Sequence, residues 1–542
     1  MLIFIVLVSG LGIVSLNHTD GKFVYALDDG YIHMAVAKNL IKFHVWGVFG
    51  DEFTSLSSSL LWTVLIYLSY LIFGINELSP FILNLLAAFA TIFVAGFILG
   101  KFKISGLPKF LILASVVVLA PLPGITLSGL EHTAHIMLTI AYIFMAAKAL
   151  SYSSSGTINT YDDYRRYRVL LYCLAPLLTS ARYEGLFLLG MVSLLFLIRR
   201  KYPAAIINGA IGLVPVSVFG FYAMAKGWFF LPNSVLIKGN MPDYRSLVSL
   251  IRYPATFIVH LILYPHLLLM LVAVLIILYR RLSREGDLWD ELNVLLLLLA
   301  SIILLHAQFA SSGWLYRYEA YLVAAGIMII GIAVINGGLS WFEAVSPNYR
   351  IFRFIVIAAA IFVAASPFLK RGYDSLQETP VAVSNIYEQQ YQTGIFLQKY
   401  YSAQPVAIND VGTVNFLADF KCIDLMGLGN REIGRARIGL HYDVGLIEKI
   451  CEENDLSLAV VNENVFDKAH IGGLPKSWIA VGQWYVPVKI MNADDHFTFY
   501  APDSVKAMRL LDNLREFSRN LPPGVRQAGL YMENLKNDAN QQ

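Results

Sequence analysis

Charge is the scarcest commodity in this sequence. Of 542 residues only 15% are Asp, Glu, Lys or Arg, where soluble domains carry roughly 25%. Hydrophobic residues make up 57% and the mean hydropathy is +0.59. Depletion of this depth, concentrated in long runs, excludes an ordinary soluble domain and implies a polytopic membrane protein. Cysteine is also scarce: Cys173, Cys422 and Cys451 form no CxxC and no Cys/His cluster, which argues against a zinc site. Cys173 reads as a small core residue in an apolar run, and Cys422 and Cys451 are a candidate disulfide only if their region is extracytoplasmic. Segment 2–16 lacks a basic leading region and an A-x-A site, so it reads as a retained first span and not as a removable signal peptide. There is no internal repeat, and no low-complexity stretch beyond the tail "NDANQQ". The formal charge of +3 says nothing of partners, and nucleic acid is not expected among them.

What is present is a series of apolar runs: 2–16, 59–73, 80–100, 109–122, 133–149, 168–180, 185–198, 204–225, 254–279, 291–309, 318–336 and 352–369. Basic clusters fall between them at 101–109, 164–168, 199–201, 279–284 and 348–353. If run 59–73 crosses the membrane, these clusters share a side with the acidic loop at 28–29. If it lies along the interface, all of them fall on the opposite side, as the positive-inside rule requires of the cytoplasm. That run is short for a span and carries Trp62, Tyr67 and Tyr70, which suit the headgroup level. It therefore reads as a juxtamembrane helix, leaving about eleven true spans. The N-terminus is then cytoplasmic. The first outer loop, 18–79, and the segments "SGLEH", "SARYEG", "LPNSVLIKGN" and "SSGWLYRY" face outside with everything after about 370.

The expected architecture is a helical membrane domain, 1–370, followed by a soluble extracytoplasmic α/β domain, 371–542. In the latter, "PVAIND", "KCIDLM" and "LSLAVVN" read as buried strands, and 384–401 and 443–454 as helices. "NDVG" and "DLMGLGN" follow strands, where α/β folds place functional loops; turn chemistry explains them as well.

The polar residues of the outer face carry the chemistry. Asp28 and Asp29 precede an amphipathic pattern with apolar residues at 32, 35, 36, 40 and 43. Helix capping accounts for one of them, but not for a tandem pair. A carboxylate there could serve as a general base toward an acceptor hydroxyl, or the pair could hold Mg²⁺ or Mn²⁺, although nothing requires a metal. Glu131 and His132 interrupt an apolar region at a membrane boundary, where ionisable groups are costly and point to a site. Arg182 and Glu184 lie two apart between spans, a spacing at which helical residues do not face each other. Lys238 follows "LPNS" with its Asn233, and Arg317 and Tyr318 lie in "WLYRYEAY". Arg182, Lys238 and Arg317 are candidates to cradle a phosphate; each taken alone also suits interfacial anchoring.

In this order, "DDGYIHMAVAKNL", "GDEFTSLSSSLLW", "SGLEHTAH", "RYEG", "LPNS…K", "RYEAYL" and "NDVGTVNFLADFKCIDLMGLGN" resemble the GT-C superfamily of polyprenyl-phosphate-sugar-dependent glycosyltransferases. Within it they are most similar to the bacterial branch of terminal arabinofuranosyltransferases of cell-wall assembly. The resemblance runs from about residue 20 to 470. It implies a helical membrane domain with an outward-open cavity in the inner membrane and a periplasmic C-terminal domain. It implies a polyprenyl-phosphate-linked sugar donor and a glycan, lipid or protein acceptor. It implies Asp28 or Asp29 as catalytic base, Arg182, Lys238 and Arg317 on the donor phosphate, and Glu131, His132, Glu184, Asn233 and Tyr318 lining the cavity. Two other classes stand beside it: a transporter or flippase of lipid-linked sugars, which predicts related halves and a midplane ionisable pathway, and a non-catalytic envelope-assembly protein.

Overall fold

The apolar runs fold as helices because in lipid every backbone amide must be satisfied within its own segment. The computed structural model describes residues 1–152, 158–240, 247–337, 350–468, 471–486, 488–490 and 495–532; the polar tail and part of the basic cluster 348–353 lie outside the described residues. Helices Ser79–Lys101, His132–Ser151, Tyr202–Ala225, Pro265–Arg284 and Glu291–Phe309 are each long and apolar enough to cross a bilayer. Leu2–His18, Leu60–Phe73, Gly106–Leu119, Gly185–Ile198 and Ala320–Asn336 are shorter apolar helices. This is a multi-pass helical membrane architecture. Among the described residues length and apolarity mark five spans by themselves, and the expected number of about eleven would have to draw on the shorter helices.

Several local expectations need correction. Trp62 and Tyr70 of helix Leu60–Phe73 are buried in protein and do not face lipid, and the Trp62 indole donates to the Gly129 carbonyl at 2.9 Å. Helix Asp28–Lys42 is not amphipathic in place. Every residue from Gly30 to Asn39 is buried, because the helix is wedged between the bundle and the soluble domain. Cys173 faces outward and is exposed, and all three cysteines are free. Finally, helix Arg350–Ile386 runs unbroken through residue 370, so no hinge marks the change of composition. It leads into a π-turn, Tyr387–Tyr391.

The soluble domain is built on a six-stranded sheet: β1 Pro405–Ile408, β2 Lys421–Asp424, β3 Leu458–Val461, β4 Ile479–Tyr485, β5 His496–Ala501 and β6 Arg526–Ala528. The order is β2-β1-β3-β5-β4-β6. β1 pairs in parallel with β2 and β3, and the remaining pairs are antiparallel. β1 thus has successors on both sides, which opens a crevice at the carboxyl ends of β1 and β3. That crevice faces helix Asp28–Lys42.

The junction between the domains is polar and directional. Asp28 accepts from Gly412 N at 2.8 Å and Thr413 N at 2.7 Å, at the start of helix Thr413–Leu417. Lys38 donates to the Asn415 and Phe416 carbonyls at 2.7 and 3.0 Å, and to Asp419 at 2.9 Å. A carboxylate therefore serves one end of the short helix and an ammonium the other, each matching the orphan groups found there. The approach is close enough to require glycine: a Cβ on Gly412 would collide with the Asp28 carbonyl oxygen and lie 2.7 Å from its Oδ2.

Candidate active site

Asp28 and Asp29 are neighbours with opposite duties. Asp28 does not cap its own helix; its side chain is given to the soluble domain as just described. Asp29 turns the other way. Its Oδ1 lies 3.0 Å from Lys238 Nζ, and its Oδ2 lies 2.6 Å from Arg317 Nη2. Burial alone would raise its carboxyl, but Lys238 and Arg317 outweigh burial and hold it well below the usual carboxylate range.

Two cavities meet at Asp29. The first, about 270 Å³, is lined by Asp29, His33, His132, Arg182, Glu184, Lys238, Arg317 and Tyr318, with Leu130, Leu186, Phe187, Leu236 and Phe309 as its apolar wall. The second, about 530 Å³, lies between bundle and soluble domain and shares Asp29, Ile32, Lys238, Ser311, Tyr318 and Leu428 with the first. It adds Asp28, Trp314, Gln390, Asn409, Asp410 and Arg437. A third cavity, about 520 Å³, sits behind the 313–319 segment against Tyr264, His266, Glu319 and Arg371.

The three candidate cations are not equivalent. Arg182 is fully committed. It donates to Glu131 Oε1 at 2.6 Å, and its Nε and Nη2 form a fork on Glu184 at 3.0 and 2.7 Å. The Glu184 contact, unexpected for residues two apart, forms because 182–184 is the turn between helices Ile158–Ala181 and Gly185–Ile198. Among the described residues Lys238 pairs with Asp29, and it keeps 41% of its side chain exposed. Arg317 is buried against Tyr318, and its Nε and Nη1, buried themselves, have no hydrogen-bond partner among the described residues. A buried guanidinium with two unpaired donors beside a cavity suits a planar or tetrahedral oxyanion.

His132, Glu184 and Tyr318 line the first cavity. Glu131 and Asn233 stand back from it. Glu131 lies behind Arg182 with His33 Nε2 at 3.7 Å, and Asn233 donates its Nδ2 to the Gly427 carbonyl at 2.8 Å, tying "LPNS" to the loop after β2. His33 escaped sequence reasoning, although its position one turn after Asp29 puts the two on one helical face.

The segment carrying Arg317 is bent by four successive left-handed residues: Gly313 (φ +81°), Trp314 (+48°), Leu315 (+56°) and Tyr316 (+61°). For side chains other than glycine this costs ~1–2 kcal/mol each. Buried groups hold it there. Gly313 N donates to Glu319 at 2.8 Å, Arg371 donates to Glu319 and to the Tyr316 carbonyl, and Leu315 is buried. Such strain persists where surroundings over-determine it. Here it sets Trp314 on the second cavity and Arg317 on the first.

Asp410 follows β1 and accepts from Gln390 of the π-turn at 2.9 Å. Burial, and then the negative Asp28 nearby, push its carboxyl well above the usual range. The folded chain keeps this proton at pH values where the unfolded chain has lost it, so folding loses stability as pH rises from about 3.9 through the raised value. Asp410→Asn removes that cost. Thermal unfolding of the purified chain should show a larger gain in Tm at pH 8 than at pH 5.

Residues 384–500 match a sequence family described as Domain of unknown function (DUF8728). No curated protein matches the sequence. Among solved structures, ArnT from Cupriavidus metallidurans bound to undecaprenyl phosphate is similar with a TM-score of 0.52 at 11% identity, covering 93% of this chain and 98% of that one. Its apo state gives 0.50, with the same identity and coverage. The apo oligosaccharyltransferase of Archaeoglobus fulgidus gives 0.44 at 10% identity, over 92% of this chain and 74% of that one. The fold resembles that of the Cupriavidus metallidurans ArnT structures.

Proposed function

We propose that the chain is an integral-membrane glycosyltransferase moving a sugar from a polyprenyl-phosphate donor to an acceptor hydroxyl on the outer face of the inner membrane. The observation that carries this reading is the placement of Asp29. It stands where two cavities meet, its carboxylate on Lys238 and on an Arg317 whose remaining donors are open. The undecaprenyl phosphate bound by the similar ArnT supports a prenyl phosphate as the ligand class. The ordered motifs support the arabinofuranosyltransferase-like branch.

In this scheme the prenyl chain lies along Leu186, Phe187, Leu236 and Phe309, and the phosphate takes the open donors of Arg317 and the ammonium of Lys238. Both cations then serve the phosphate, and their grip on Asp29 weakens. Its carboxyl rises from its depressed value and becomes a competent base only when donor is bound. The acceptor oxygen, entering from the second cavity, attacks the anomeric carbon as its proton passes to Asp29. The bond from that carbon to the phosphate oxygen breaks, with inversion, and the cations stabilise the departing phosphate. Arg182, saturated by Glu131 and Glu184, buttresses the wall and leaves the phosphate to the other two. Asp28 and Asp29 do not suit a shared divalent metal, because the first accepts two backbone amides and the second faces two cations.

The test separates transfer from transport. The purified chain in nanodiscs, given polyprenyl-phosphate sugars extracted from its host's membranes together with the membrane acceptor fraction, should release free polyprenyl phosphate, read by mass spectrometry. Intact donor moved to the other leaflet would establish transport and overturn the reading.

A further inference from the structure

The two cavities that share Asp29 are built from different chemistry. The first offers open cationic donors beside an apolar wall. In the second the cations are Lys238, engaged on Asp29, and Arg437, whose Nη1 donates to the Met426 carbonyl at 2.7 Å. Its carboxylates outnumber them, since Asp28, Asp29 and Asp410 all reach its surface. It also presents a large aromatic face, Trp314, a residue 51% exposed although it rides on a strained, rigidly held turn.

Resting on the glycosyltransferase reading above, we propose that the second cavity takes the acceptor as an uncharged sugar unit stacked on Trp314, with a hydroxyl bonded to Asp410, and that it rejects phosphate-bearing acceptors. A sugar ring has an apolar face, which a held indole covers at little entropic cost, and a hydroxyl rim, which needs carboxyl and amide partners. Asp410 supplies such a partner. Its Oδ2 is fixed by Gln390 at 2.9 Å, while its Oδ1 has no hydrogen bond among the described residues, and Asn409 lies beside it on the same wall. A phosphate brought here would add negative charge to three acidic groups, one of them already driven toward its protonated form by burial and by Asp28. Rejection thus comes from repulsion by the more numerous carboxylates. The soluble domain in this view supplies acceptor specificity through the loop after β1, while the membrane domain supplies the donor site.

The full chain in nanodiscs can be titrated by saturation-transfer NMR with methyl trisaccharides of arabinofuranose, mannose and galactose, and with the same compounds carrying a terminal phosphate. At least one neutral compound should bind, and its phosphorylated form should bind about tenfold more weakly or not at all. Trp314→Ala should weaken the neutral compound about tenfold, while Trp314→Phe, which keeps an aromatic face, should stay within about threefold. Asp410→Ala should weaken the neutral compound and narrow the gap to the phosphorylated one. Equal or tighter binding of the phosphorylated forms, binding unaffected by Trp314→Ala, or no binding by any neutral compound overturns the proposal. Undecaprenyl phosphate added to the wild-type chain in the same experiment separates this failure from that of the donor reading: if it binds, only the acceptor assignment falls, and if it does not, the glycosyltransferase reading falls with it.

Discussion

Asp29→Asn should lower sugar transfer about 10³-fold, the usual worth of a positioned general base, while donor binding survives. The amide keeps the shape of the carboxylate but cannot take the acceptor proton. It also frees Lys238 and Arg317 from their ion pairs, so undecaprenyl phosphate should bind as tightly as before or more so. Loss of rate without loss of affinity is the signature of a group that acts in the transition state alone. Asp28→Asn is the control that sequence comparison would not suggest. The Asp28 carboxylate holds the Gly412 and Thr413 amides, so the change should lower thermal stability and cost transfer far less than Asp29→Asn. Equal losses at the two positions, read as release of polyprenyl phosphate, would dissolve the division of labour argued for the pair.

Arg317→Gln should weaken binding of undecaprenyl phosphate about 30-fold, near the 2 kcal/mol expected for a hydrogen bond to a charged group. Arg317→Lys should restore little of it. A lysine replaces a planar fork by a point charge and cannot use the stacking on Tyr318. Arg182→Gln makes a contrasting case. Arg182 is saturated by Glu131 and Glu184, and its loss strands two buried carboxylates, so destabilisation should dominate. Calorimetric titration of undecaprenyl phosphate, alongside the Tm of each variant, checks both expectations.

The reach of the sequence can be judged from these residues. The membrane class, three strands and the convergence of Asp29, His132, Arg182, Glu184, Lys238, Arg317 and Tyr318 on one cavity follow from hydropathy, period and the side on which polar residues fall. These are properties of local pattern and charge. The contrast between Asp28 and Asp29 does not follow, because one residue of helix turns a side chain by about 100° and only the docked soluble domain shows which way each points. The saturation of Arg182 arose from a turn where a helix spacing rule had been applied. Trp314 and Asp410 depend on a left-handed turn and on a domain junction, neither of which has a periodic signature. Lys38 is a buried cap for a helix almost four hundred residues away, a partnership that no local pattern encodes.

The central claim is that Arg317 and Lys238 receive the donor phosphate beside Asp29. A structure of the chain in nanodiscs with undecaprenyl phosphate tests it most directly. The claim predicts the phosphate in the first cavity within about 3 Å of the Arg317 guanidinium, with the Asp29 carboxylate displaced from at least one of its two cations. A phosphate seated against Arg371 and His266 in the third cavity, or on the soluble-domain side at Asp410, with the Asp29 ion pairs intact, would contradict it.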